Sequence, residues 1–356
     1  MELVRIQRRT VIYRNLLDSD IYYGKLLIIM QLTDEQLRGL ANAGQLYETW
    51  KGVMSALSKL PGGMYWRVIN SKEYLYQYAS GEVKQQTKYV APKTPESEEK
   101  FRNFQEEKQD LEHRRAGIEG RIGEFTPVWR ALRLPAIDTT AGSILRAIDQ
   151  TGELADKVLV IGTYALKAYE VEAAATFATG MDATDDLDFT LFADNATLDP
   201  DLPRRLLLKL KQVDSSFVVS PDSSKTVVNN KGYLVDLLTN KNIAGVTAGV
   251  IPWKPECLEG QEWLALGTQV RTVLIDFQGW PVPIHTPDPR FFALHKLWLG
   301  NRRGRPAKKA AKDKRQGLAL LETIKNHMPH FPMDENFMRS LPDQLREQMP
   351  GQSAAS

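Results

Sequence analysis

The 356-residue sequence predicts an α+β fold, and three observations carry that expectation. The apolar run Lys157-Val-Leu-Val-Ile161 reads as a buried strand that passes through Gly162-Thr163 into a helical pattern from Tyr164 to Ala175. The stretch from Asp185 to Leu191, Asp-Asp-Leu-Asp-Phe-Thr-Leu, alternates acid and apolar residues as a half-buried strand does. Lys225 to Val228 and Tyr233 to Leu238, joined through Asn229-Asn-Lys-Gly232, read as a β-hairpin.

Taken along the chain, residues Thr33 to Leu60 carry apolar residues at helical spacing, among them Leu37, Leu40, Leu46, Trp50 and Leu57. After Pro61-Gly62-Gly63 the period changes. Met64 to Ile69, Tyr74 to Tyr78 and Lys88 to Val90 read as three short antiparallel strands, with turns at Asn70-Ser71-Lys72 and Ser80-Gly81. Aromatic residues there (Tyr65, Trp66, Tyr74, Tyr76, Tyr78, Tyr89) interleave with Arg67, Lys72, Lys84 and Lys88. Such a surface can stack bases and pair phosphates, and half of the aromatics can equally form the core of a small sheet. Pro95 to Phe125 reads as a long charged helix with a thin apolar stripe, and Ala141 to Gly152 as a further helix. These elements divide the chain into an N-terminal region over 1–140, a core over 141–285 and a C-terminal helical region over 286–356.

The chemistry is concentrated in the core. Side chains alternate faces along a strand, so Asp186 and Asp188 point the same way, about 7 Å apart along it, while Leu187 and Phe189 point into a core. Two carboxylates so placed raise each other's pKa unless a cation sits between them, which suits a divalent-metal clamp. Asp236, between Val235 and Leu237 on the hairpin, is costly to bury unless it is paired or bound to metal. Ahead of them, Gly162-Thr163 at a strand-to-helix turn offers close backbone approach and free N–H groups to a phosphate. An ordinary turn capped by Thr163 would have the same sequence.

In this order, Gly162 and Thr163, then Asp186 and Asp188, then Asp236 resemble the DNA polymerase-beta-like nucleotidyltransferase superfamily, with Thr163 where that family usually has Ser or Gly. The resemblance implies a mixed sheet with flanking helices. Further on, Asp288-Pro289 starts a helix over Arg290 to Leu299, and a basic turn with Arg302 and Arg303 leads to a second helix from Ala307 to about Lys325. Arg290 to Arg315 contains ten Lys or Arg and one acid, Asp313. His295-Lys296-Leu297, Arg302-Arg303 and Lys312-Asp313 resemble the bacterial nucleotidyltransferase-like family related to type IV abortive-infection toxins.

These resemblances imply Mg²⁺ (or Mn²⁺) held by Asp186, Asp188 and Asp236, with an NTP as co-substrate. Gly162, Thr163, Lys296, Lys309 and Asp313 are then expected at the nucleotide, Lys309 held by Asp313 at i, i+4, and Arg302, Arg303 and Lys308 at a nucleic acid. The implied activity moves a nucleoside monophosphate to an RNA acceptor, tRNA above all, in a toxin-like or defence role with an antitoxin or defence partner. A small molecule or a protein as acceptor, and a non-catalytic nucleic-acid binder, are the alternatives. Composition is that of an ordinary soluble protein, and the net charge of +2 says little. The single cysteine, Cys257, excludes an internal disulfide and a cysteine-rich zinc site and fits the cytoplasm. Leu26 to Met30, the longest apolar run near the start, is too short to span a membrane, Met1 to Thr10 lacks the apolar segment of a signal peptide, and Pro350 to Ser356 is expected to be disordered.

Overall fold

A computed structural model describes residues 30–79, 87–177, 186–191, 201–240 and 253–349. Asp185, Ser80-Gly81, Lys84, Met1 to Thr10, Leu26 to Ile29 and the tail from Pro350 lie outside the described residues. Thr33 and Gln36 cap each other reciprocally and start α1 (Asp34–Lys59). Three antiparallel strands follow, β1 (Gly63–Ile69), β2 (Lys72–Tyr78) and β3 (Thr87–Pro92), with β2 in the middle. A second capping box, Thr94 with Ser97, starts α2 (Pro95–Ala131), which runs past Phe125 because Ile122 and Trp129 stay buried against α1. The two helices pack along each other with Leu40, Ala43 and Trp129 between them.

The catalytic-region expectation of a strand, a turn, a helix and a mixed sheet is borne out. Asp138 caps α3 (Thr139–Asp149), and β4 (Val158–Ile161) passes through Gly162 into α4 (Tyr164–Glu172). β5 (Asp186–Leu191), α5 (Leu202–Val213), β6 (Val218–Ser220), β7 (Ser223–Val228) and β8 (Leu234–Thr239) complete the central sheet, in the order β4-β5-β8-β7-β6. β5 and β8 run parallel; the other neighbours in that order are antiparallel. Glu256–Cys257 adds a short parallel pairing to the end of β8. A second sheet pairs β9 (Val270–Asp276) with β10 (Pro281–Thr286) and, in parallel, with Ala136–Ile137.

Alternation gives the central sheet two different faces. Val158, Val160, Leu187, Phe189, Val235 and Leu237 point into a core closed by α3 and α5. On the other face Ile161 and Leu238 join a core formed with α6 (Pro289–Asn301) and α7 (Ala307–His327), and with the short helices α8 (Glu335–Ser340) and α9 (Asp343–Arg346). Asp288 caps α6 through the N–H of Arg290, as Asp-Pro predicts. No helix among the described residues is long and apolar enough to cross a membrane.

α6 and α7 cross closely because Gly317 has no side chain there. A Cβ on it would stand 2.8 Å from the Ala293 carbonyl oxygen and 2.8 Å from Leu297 Cγ. A backbone oxygen cannot yield without parting the helices, so Gly317→Val should cost about 2 kcal/mol. The readout is a lower urea midpoint, with the slope of the transition unchanged if the unfolded state is unaffected.

Candidate active site

The parallel register of β5 and β8 sets Asp188 directly opposite Asp236 and Leu234 opposite Asp186. Paired residues on neighbouring strands share a face, so the three carboxylates stand together on the face that meets α6 and α7. On the other side of β5, Ile161 pairs with Asp188, and Gly162 follows at once. Gly162 has φ +69°, and a Cβ built on it would overlap Oδ2 of Asp188. Glycine is therefore required twice at this position, by backbone conformation and by the carboxylate lying against it. Thr163 is buried and opens α4, but its hydroxyl makes no capping bond. The first N–H groups of α4 thus lack the side-chain partner that an ordinary capped turn would give them.

Electrostatics single out Asp188. Burial is the first cause that pushes its carboxyl up, to about 6; Asp186 and then Asp236 add repulsion, while Lys296 and Lys225 oppose it. Asp236 is held from behind: Thr226 donates its hydroxyl to Oδ1 at 2.7 Å, and Lys225 lies 3.4 Å from Oδ2 while also reaching Glu256 at 2.5 Å. Among the described residues no three His, Cys, Asp or Glu side chains already form a cation cage. The donor set nonetheless fits a hard cation, since acidic oxygens that repel one another lie on one face, and Mg²⁺ commonly takes one or two carboxylates and completes its shell with substrate phosphate and water. A polar brace stands beside them. Tyr164 and Tyr233 both donate their hydroxyls to Oδ2 of Asp138, the cap of α3. Asp186 lies close enough to contribute to the raised pKa of Tyr164, after burial and the bond to Asp138.

The C-terminal helices bring cations to the same face, with a pairing different from the expected one. Lys296 is buried on α6, where its ammonium meets Oδ1 of Asp313 at 3.0 Å. Arg305 takes the other oxygen of Asp313 through Nε at 3.0 Å and a second guanidinium nitrogen at 2.5 Å. The expected Lys309–Asp313 pair is therefore corrected: Asp313 is turned inward to Lys296 and Arg305, and Lys309 is exposed on α7. With both oxygens engaged, Asp313 holds the Lys296 ammonium and the Arg305 guanidinium in place. Lys312, one turn beyond Lys309, is half-buried and feels both Asp186 and Asp188; burial, then Lys296, lowers its pKa against their pull. Lys312 and Lys225 are the members of this cluster that sequence reasoning did not assign to the site. The signal for Lys312 was present, since it adjoins Asp313 in the motif. Arg302, Arg303 and Lys308 are exposed, with Arg302 reaching Glu259 at 3.1 Å and lying over the Trp298 ring.

Two measurements probe this geometry. Gly162→Ala should displace the Asp188 carboxylate and strain the turn by about 1–2 kcal/mol, reducing activity severely while circular dichroism stays unchanged. The second reads stability against pH. The folded-state pKa of Asp188 is raised from 3.8 to about 6, so its contribution is present below about 4 and is lost as pH rises through 6. In chelator-treated protein, Asp188→Asn should therefore gain in melting temperature over the wild type as pH rises from 4 to 6.5. A constant difference between the two would remove the assignment.

Comparison with known proteins adds the family. A family model described as Nucleotidyltransferase matches residues 139–342, more than half of the chain, from α3 through the central sheet and on through α8. No curated protein and no solved structure matches it. The chain belongs to this nucleotidyltransferase family, whose enzymes transfer a nucleoside monophosphate from an NTP.

Proposed function

We propose that the protein transfers a nucleoside monophosphate to RNA, tRNA in the first instance, with Asp186, Asp188 and Asp236 as its catalytic carboxylates. The reading is carried by one observation, the shared face of these three acids with Lys296 and Lys312 against it. Held by the three carboxylates, Mg²⁺ or Mn²⁺ would neutralise charge at the α-phosphate and lower the pKa of the acceptor hydroxyl. The Gly162-Thr163 turn and the N-terminus of α4, which no side chain caps, bind the triphosphate. Lys296, fixed by Asp313, and Lys312 meet the negative charge that grows on the leaving pyrophosphate, with Lys309 at the outer phosphates. Asp236, oriented by Thr226, positions the acceptor hydroxyl and takes up its proton.

The acceptor reading is supported by the exposed cations Arg302, Arg303 and Lys308. A toxin-like or defence role, with an antitoxin or defence partner in the cytoplasm, follows from the sequence resemblance alone and forms the outer part of the proposal.

The test is to incubate the protein with each labelled NTP, Mg²⁺ and total RNA, then to resolve RNA, protein and small molecules. Label should enter RNA, and Asp186→Asn or Asp188→Asn should abolish it with the fold retained. Label appearing on protein or on small molecules instead overturns the RNA acceptor. Reversing Arg302, Arg303 and Lys308 to Glu should lower the slope of log affinity for RNA against log salt by about 2, given ~0.7 per lost phosphate contact on a single strand. NTP binding should be affected less.

A further inference from the structure

The small N-terminal sheet is two-faced in a way that the active site does not use. One face is structural: Leu75 is fully buried, and Trp66 meets Phe101 of α2 edge-on at 5.8 Å. The pairings Tyr65 with Tyr76, Arg67 with Tyr74 and Tyr76 with Tyr89 put these residues on the opposite face. Tyr78 joins them across Gly63, whose missing side chain leaves room for its ring. Neighbouring rings stand 5.8–6.4 Å apart, and Tyr65 is 37% and Tyr89 55% exposed.

Five tyrosines gathered on one face of three strands are more than that sheet needs for a core, which the other face already supplies. Among the described residues of the three strands, the charge on this face also has one sign. Arg67 lies over the Tyr76 ring, and Lys72 follows at the same period, while Glu73 points to the other face, where it pairs with Lys93. Tyrosine rings offer flat π-surfaces, and their hydroxyls and the two cations can meet phosphate, so the chemistry recognised is an anionic chain with stackable rings. An unpaired nucleic acid strand has both at every residue, whereas a duplex keeps its base faces covered.

We infer that the tyrosine face of β1–β3 is a stacking platform for single-stranded RNA, which holds the acceptor away from the catalytic carboxylates. This deepens the proposed function and rests on its choice of RNA as acceptor. A peptide as occupant is the competing outcome.

The experiment uses the full chain and a short labelled oligouridylate, with binding read by fluorescence anisotropy in the absence of NTP. Tyr65→Leu and Tyr89→Leu should each weaken binding about tenfold, while Tyr65→Phe and Tyr89→Phe, which keep the ring, hold near-wild-type affinity. Because both residues are exposed, the Leu variants should fold, and the Phe variants keep the comparison interpretable if they do not. Arg67→Gln should reduce the salt dependence without removing the preference for single strands over duplex. Equal binding by Leu and Phe variants, or equal competition by duplex RNA, heparin or an acidic peptide, overturns the platform. The two readings fail separately. Transfer of label to RNA that is indifferent to Tyr65→Leu sinks the platform alone, and tyrosine-dependent RNA binding without transfer sinks the acceptor assignment alone.

Discussion

Charge on one sheet face is the constraint on which the rest of this structure depends. Asp186, Asp188 and Asp236 would repel one another wherever the face was closed off from water, and at Asp188 burial first, then the neighbouring acids, push the carboxyl up. The chain answers with cations on a separate pair of helices. Lys296 can be buried because Asp313 takes its ammonium, and Asp313 can be buried because Arg305 takes its other oxygen. Removing Asp313 would leave the buried Lys296 ammonium uncompensated in a dry place, at several kcal/mol. The docking of α6 and α7 and the electrostatics of the carboxylates are therefore one problem, and the close crossing at Gly317 is part of its solution.

The carboxylates hold their positions because the opposite face of the same strands leaves no freedom. Leu187, Phe189, Val235 and Leu237 are fully buried against α3 and α5. A slip of one residue between β5 and β8 would turn the two apolar residues of the shifted strand outward and drive its Asp188 or Asp236 into the apolar core. The same packing that stabilises the sheet thus fixes the spacing of the acids. Gly162 completes the arrangement from the third strand, since any larger residue would occupy the place of Oδ2 of Asp188.

Much of this was legible in the sequence, for reasons of period and capping. Alternation alone assigned Asp186 and Asp188 to one face, and Asp288-Pro289 marked a helix start that the structure reproduces. The partner of Asp313 was not legible. Its i, i+4 neighbour Lys309 satisfies the local rule, but the helix crossing turns Asp313 inward toward Lys296, seventeen residues earlier in the chain, and to Arg305 in the preceding turn. The same rotation brings Lys312 to the acids and leaves Lys309 in solvent. Local spacing cannot supply the angle at which two helices meet a sheet. For the small sheet the sequence left core and platform equally open, and strand pairing separates them, Trp66 and Leu75 on one face and the tyrosines on the other.

The small sheet is also tied firmly to the catalytic region, which bears on how an acceptor would be presented. Lys108 of α2 donates to the Gly62 carbonyl at 2.6 Å, and Trp50 of α1 donates to Glu119 of α2 at 3.0 Å. α1 then reaches α3, where Tyr47 and Lys51 both meet the Asp149 carboxylate, at 2.7 and 2.8 Å. The ring of Trp50 stands edge-on to that of Trp280, just ahead of β10. A strand bound on the tyrosines would therefore be attached to a braced scaffold rather than to a hinge. Its free end would search a limited volume around the carboxylates, which raises effective concentration without any new contact at the reacting atoms. On the proposed RNA acceptor, discrimination would then arise at a distance from the chemistry, through the length and unpaired state of the strand between the tyrosines and the carboxylates.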